Sequence, residues 1–327
     1  MANFILFLDP DPARRQAAAL RARDQVAFVP RLRAELTLAP RYSLVWAAAP
    51  SAPVETHFAQ RPDLTDCILF GEPHEDSGRT LRAIDLARRQ DLMWDAPSDR
   101  NGFYAALMLH PHRGVRVEAD VLGTLPIYYW QQGEVLLVAT SPDLFRCHPL
   151  FHTQINLHGV AALLLTSGMV GGRTLWRNVR RLEPDHLLLC APGEQARELA
   201  PPPPVQEAPL TSLDETVREA SALHTAFLIS ALRSSRQPGL QLSGGLDSRL
   251  LAGFVTTLGH RPNCLTFGRP EDLDARCATQ VARELDLPQT MCESDPADYA
   301  TYAASCVRQE NLAGGLYSLA MGWNISV

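Results

Sequence analysis

Apolar and polar residues alternate in two different ways along the chain. Up to about residue 193 the apolar runs are short and separated by turn residues, as in a domain of many short strands with a few helices. Phe4–Leu8, Val26–Val29 and Tyr42–Trp46 read as strands, and Pro12–Arg23 as a helix rich in Ala and Arg. Gly71–Gly78 reads as a loop and Thr80–Gln90 as helical. Phe103–Leu109 is a strand, His110–Gly114 a turn, and Val115–Ala119 a half-buried strand. Leu122–Trp130 turns into another strand, Gln131–Gly133 is a hairpin turn, and Val135–Ala139 answers it. Residues 102–149 therefore predict an antiparallel meander within an α+β layered domain.

The second half changes period. Leu187–Gly193 ends a strand, and residues 194–208, with Pro201–Pro204 inside them, predict a stiff linker. A helix follows from the Thr211–Glu215 cap to about Ser234, burying Val217, Ala220, Leu223, Phe227, Leu228 and Leu232. Gln237–Gly239 breaks it. Leu240–Leu242 is a short strand, Ser243–Gly245 a turn, and Leu246, Leu250, Leu251 and Phe254 recur at helical spacing. Asn263–Gly268 and Gln289–Glu293 are strands on either side of a helix over Asp272–Leu285. Strands that alternate with helices predict a parallel sheet with helical crossovers. The organisation expected is thus residues 1–193, a linker at 194–208, and an α/β parallel-sheet domain at 209–327.

Composition narrows the class. The chain has 327 residues, enough for roughly two domains, and its 46% apolar and 20% charged residues suit a packed core. A net charge of −6 argues against nucleic-acid or anionic-membrane partners. All 30 basic residues are arginine, so no step can use a lysine as base or phosphate clamp. The seven cysteines are scattered without a CxxC, the N-terminus lacks a signal-peptide pattern, and no apolar stretch reaches membrane-spanning length. A reduced cytoplasmic setting is the simplest reading.

The turn Ser243–Ser248 carries the chemistry. It joins a strand to a helix N-terminus, where backbone N–H groups are unpaired and the dipole is positive, a setting that favours phosphate. Gly244 and Gly245 admit close backbone approach. Ser243 and Ser248 add hydroxyls, and Asp247 can hold Mg²⁺ against phosphate oxygens. The alternative is a glycine-rich turn with no ligand. The GxxxxGK loop is absent. Ser243-Gly244-Gly245-Leu246-Asp247-Ser248 instead resembles the SGGxDS pyrophosphate loop of ATP pyrophosphatases, which split ATP between the α and β phosphates. Ligands of parallel sheets sit outside the strands' carboxyl ends, and the resemblance places adenine near Leu242 and Thr266, Phe267 and Gly268. Arg249 either reaches a phosphate or is a solvated helix residue. Asp274–Arg283 is similar to a D-x-x-x-A-x-x-V-A helix of the same enzymes, and packing alone accounts for it as well.

A second resemblance lies upstream. Asp120–Tyr129 and Leu136–Phe145 are similar to the D-x-x-G-x-x-P-L-Y-Y strand and the following strand end of the asparagine synthetase family's glutaminase domain. His158–Gly168, Gly172–Trp176 and Val179–Asp185 continue the likeness. It implies an Ntn-hydrolase-like layered domain before an adenine nucleotide α-hydrolase-like one. Glutaminases of this class use a cysteine directly after the initiator Met, with its freed amine assisting the thiol. This chain has Ala2, so the resemblance is to glutaminase-dead members such as β-lactam synthetases and lasso-peptide macrolactam cyclases, and no catalytic residue is named. The histidines at 110, 112, 148 and 152 lack metal-ligand spacing, and those of the turn, His110 and His112, are expected on the surface.

The family's second acidic loop does not occur, so the ATP domain is expected to be incomplete, a truncated or split product or one completed by a partner chain or homo-oligomer. Alone it is expected to bind ATP weakly at best and to be poorly soluble or oligomeric. The function the resemblance implies is ATP- and Mg²⁺-dependent ligation of a carboxylate to an amine, the partners being those substrates, with a ribosomal precursor peptide as a candidate among them. The alternatives are asparagine synthetase proper and a non-catalytic assembly module.

Overall fold

The computed structural model describes residues 3–27, 32–50, 54–75, 79–89, 94–96, 100–166, 171–201, 212–234 and 238–293. The first part contains β1 (Asn3–Leu8), α1 (Pro12–Arg23), β2 (Arg33–Leu38), β3 (Ser43–Ala48), α2 (Val54–His57), β4 (Phe58–Gln60), β5 (Asp66–His74) and α3 (Ala83–Arg88). It continues with β6 (Asn101–His110), β7 (Gly114–Ala119), β8 (Tyr128–Gln132), β9 (Val135–Ala139), a 3-10 turn (Pro142–Cys147), α4 (Leu157–Thr166), β10 (Val179–Arg181), β11 (Leu187–Cys190) and β12 (Arg197–Leu199). The second part contains α5 (Leu213–Ser234), β13 (Gly239–Gln241), α6 (Leu246–Thr257), β14 (Asn263–Phe267), α7 (Leu273–Glu284) and β15 (Gln289–Cys292). Elements through β12 form one compact unit and those from α5 onward another.

In the first unit, β1 is apolar throughout because both of its faces are covered. Phe4 and Leu6 enter a core shared with Ile68, Phe70, Leu107, Val117 and Leu188. Ile5 and Phe7 point the other way, onto Ala18, Ala19 and Ala22 of α1. Two six-stranded antiparallel sheets, in the orders β10-β8-β9-β1-β3-β2 and β12-β11-β7-β6-β5-β4, thus pack face to face. α3 covers the outer face of the second sheet through Ala83, Leu86 and Ala87. The result is an α-β-β-α stack, the layered α+β domain that the short apolar runs predict.

Several local expectations need correction. Residues 102–149 are not one meander: the β6–β7 and β8–β9 hairpins belong to different sheets. The chain changes sheets at Asp120, whose buried carboxylate accepts the N–H groups of Leu122, Thr124 and Leu125 at 3.0–3.1 Å. Val26 and Ala27 are no strand, because the Val26 N–H closes the end of α1 on the Ala22 carbonyl; Phe28 and Val29 lie outside the described residues. β5 extends through His74 into the expected loop, paired with β6 down to Asn101. Arg197–Leu199 of the expected linker pair with β11. The Pro202–Pro204 part of the proline run lies outside the described residues.

His148 is buried. Its Nε2 lies 2.9 Å from Asp9 Oδ2, and Arg14 donates Nε and Nη2 to the same carboxylate at 2.6 and 2.7 Å. Burial holds His148 below the ordinary histidine value and outweighs the pull of Asp9. Burial pushes the Asp9 carboxyl up, but the hydrogen bonds from Arg14, the Asp11 N–H and His148 carry it below its usual range. Both groups are depressed in the fold, so both contribute stability above their unfolded values that is lost as pH falls. Thermal unfolding of this unit should therefore weaken from about pH 6.5 downward, with a further loss below about pH 4. Calorimetry against pH checks this. His148→Gln should flatten the upper phase, and an unchanged profile in that variant would assign it elsewhere.

In the second unit β13, β14 and β15 pair in parallel. Their core is Leu240, Leu242, Ala252, Cys264, Ala278, Ala282 and Leu287. The helix faces differ from those expected. Leu246 and Leu250 are exposed, and α6 packs through Ala252 and Val255. On α5, Leu228 is buried while Val217, Leu223 and Phe227 are exposed. Its amphipathic pattern calls for a covering layer that the described residues do not provide. No described helix is long and apolar enough to cross a membrane.

Candidate functional site

The chain leaves β13 through Leu242, whose N–H donates to the Leu265 carbonyl at 2.9 Å and whose side chain is buried in the core. The next three amides are all engaged. Ser243 N–H donates to Ser248 Oγ at 3.1 Å, Gly244 N–H to Asp274 Oδ1 at 2.8 Å, and Gly245 N–H to Ser243 Oγ at 3.1 Å. The two serine hydroxyls stand 2.9 Å apart. The turn is therefore braced from within, and the unpaired amides expected at Ser243–Gly245 are instead satisfied.

The open donors lie one step further on. Gly245 is the N-cap of α6 and has no side chain with which to cap it. The first helical bond runs from Arg249 N–H to Gly245 O. The N–H groups of Leu246, Asp247 and Ser248 are left without an intrahelical partner, at the positive end of the helix dipole. Such a turn, with a serine hydroxyl pair beside it, suits an anion.

Neither glycine of the turn has a positive φ. At Gly244 the requirement is space: a Cβ would stand 2.7 Å from Asp274 Oδ1 and 3.0 Å from Asp274 Cα and O. The first turn of α7 thus comes to rest directly on the loop.

Asp247 is exposed in the first turn of α6, and no described group holds its carboxylate. An oxygen donor of this kind suits Mg²⁺, which takes one or two carboxylates and completes its shell with phosphate oxygens and water. Among the described residues no three His, Cys, Asp or Glu side chains gather as a metal site, so Asp247 would hold the ion together with a bound phosphate. Arg249 is exposed, and its Nε donates back to the Gly245 carbonyl at 3.2 Å, which keeps the guanidinium beside the loop.

At the end of β14, Thr266 is fully buried. Its hydroxyl donates to the Leu242 carbonyl at 2.9 Å and accepts from Gln289 Nε2 at 2.7 Å. That side chain ties three strands together. Gly268 takes φ +123° and donates its N–H to Cys292 O at 3.1 Å. Phe267 is half-buried. The parallel register therefore brings Leu242, Ser243 and Thr266–Gly268 to one edge of the sheet, as the strand ends require. Asp274 is the residue missing from the sequence-based set. Its signal is an acid in the first turn of a helix that starts just beyond the neighbouring strand end.

Residues 221–314 match the model of the asparagine synthase family, a stretch that contains this loop, α6 and α7. No curated protein matches the chain. Among solved structures, the chain is similar to glutamine phosphoribosylpyrophosphate amidotransferase from B. subtilis complexed with ADP and GMP. The identity is 10%, covering 92% of this chain and 70% of that one, with a TM-score of 0.37. The structure of the allosteric regulatory enzyme of purine biosynthesis gives 10% identity, 89% and 65% coverage, and a TM-score of 0.39. Neither likeness is close enough to define this chain's fold, and the chain spans only about two thirds of those proteins.

Proposed function

We propose that the chain is an ATP-dependent ligase that joins a carboxylate to an amine with release of pyrophosphate. The observation that carries this reading is the loop Ser243–Ser248, rigidly braced, opening the first-turn N–H groups of α6 and lying inside the asparagine synthase match. A substrate carboxylate attacks the α-phosphorus of ATP, and an amine then displaces AMP from the acyl-adenylate. The N–H groups of Leu246–Ser248 receive the departing pyrophosphate and offset the charge that grows on it. Asp247 would hold Mg²⁺ against the bound phosphates, and the ion would supply further neutralisation of that charge. Adenine would lie near Leu242 and Thr266–Gly268, at the same strand ends.

The amine is proposed to come from a peptide or from the substrate itself, not from glutamine. Ala2 stands where the resemblance requires the thiol, and Cys67, Cys147 and Cys190 of the first unit are poor substitutes. Burial pushes Cys67 up to about 12 and Cys147 and Cys190 up to about 11, so they stay protonated at neutral pH. The layered first unit then serves as an Ntn-type scaffold without glutaminase chemistry.

Exchange of labelled pyrophosphate into ATP, run with a panel of amino acids and peptides, tests the reaction. Carboxylate-dependent exchange without release of ammonia from glutamine is the expected result. Exchange matched by glutamine hydrolysis would return the chain to asparagine synthetase proper.

A further inference from the structure

α7 buries Ala275, Ala278 and Ala282. Asp274 takes no part in that packing. It is exposed, and its carboxylate accepts the Gly244 N–H at 2.8 Å. Of the three loop amides that are bonded, those of Ser243 and Gly245 find partners within the loop. The Gly244 amide alone is held by another element. The contact is close on both sides, since the Gly244 Cβ position lies 2.7–3.0 Å from Asp274.

We propose that Asp274 is the positioning residue of the pyrophosphate loop: its carboxylate holds the Gly244 amide, and so fixes the turn in the shape that presents the N–H groups of Leu246–Ser248 together. The inference rests on the reading of this loop as a pyrophosphate site. Three arguments support it. An unpinned Gly244 has no side chain to restrain its backbone. The first turn of a helix favours a carboxylate, and a charged acceptor makes a stronger hydrogen bond than a neutral one. With the Gly244 amide taken, the anion is directed to the start of α6, where the dipole favours it and Asp247 stands.

The test is titration of magnesium pyrophosphate into the 327-residue chain, followed by phosphorus NMR, for the wild type and three variants. Asp274→Ala should weaken binding about tenfold, the scale of a hydrogen bond to a charged group. Asp274→Asn keeps an acceptor oxygen and should bind within about threefold of wild type. Gly244→Ala, whose Cβ displaces the carboxylate, should resemble Asp274→Ala. Melting temperatures of both Asp274 variants should match wild type, because the residue is exposed. Wild-type binding in Asp274→Ala overturns the inference and leaves the loop's function standing. Equal losses in Asp274→Asn and Asp274→Ala overturn it too, since the hydrogen bond would not be the cause. Tighter binding in Asp274→Ala would make the carboxylate a competitor of phosphate. A wild-type chain that does not bind magnesium pyrophosphate defeats the reading of the loop itself, and the inference with it.

Discussion

Asp247→Asn is expected to weaken magnesium-dependent ATP binding at least about a hundredfold and to leave stability unchanged. The carboxylate is exposed in the first turn of α6, and no described group is bonded to it, so the fold does not depend on it. Its replacement keeps size and polarity and removes the charge that holds the ion. Metal stabilisation of phosphoryl charge is worth several kcal/mol, and a hundredfold corresponds to about 2.7 kcal/mol. The check is ATP titration with magnesium and again with EDTA. The variant and the wild type should differ only in the first condition. Equal affinities with magnesium present would remove Asp247 from the metal site.

Glu118→Ala is expected to cost the first unit about 3–5 kcal/mol. Glu118, Arg116 and Arg100 are all buried on β6–β7 and the segment before it, each at most 2% exposed. Arg116 Nη1 donates to Glu118 Oε2 at 2.6 Å, Tyr104 donates its hydroxyl to Oε1 at 2.6 Å, and Arg100 Nη2 reaches Oε2 at 3.5 Å. Arg116 also donates to the Trp94 and Ala96 carbonyls. Arg100 has no described partner for Nε or Nη1, and burial pulls its guanidinium below the ordinary arginine value. Glu118 is thus the carboxylate between two buried cations. Its removal strands both, and losing one partner of a buried ion pair costs far more than the pair contributes. For a unit of this size the melting temperature should fall by roughly 6–20 °C. Glu118→Gln, which still accepts from Tyr104 and Arg116, should fall less. A shift under about 2 °C for Glu118→Ala would mean that the cluster relaxes into solvent.

The parts of this molecule legible in its sequence are those whose periodicity is set locally. α1 begins at Pro12 behind an Asp11 cap and ends at Arg23, and β13, α6, β14, α7 and β15 follow the strand–helix alternation within a residue or two. What escaped depends on partners distant in sequence. Hairpins β6–β7 and β8–β9 look continuous along the chain, and only the third dimension assigns them to separate sheets. Leu246 and Leu250 satisfy helical spacing yet face outward, because α6 packs through Ala252 and Val255. The loop was recognisable from Ser243–Ser248. Its internal bracing and its hold on Asp274, thirty residues on, could not be read from spacing.

The central claim is that Ser243–Ser248 receives pyrophosphate. It is tested most directly by competition: ATP is bound to the chain with magnesium, and pyrophosphate is titrated against it while the nucleotide signal is followed. Pyrophosphate is expected to displace ATP, and Ser243→Ala together with Ser248→Ala, which unbraces the turn, is expected to lower the affinity for both ligands in parallel. ATP that stays bound at saturating pyrophosphate, or ligands that bind the double variant as tightly as wild type, would contradict it.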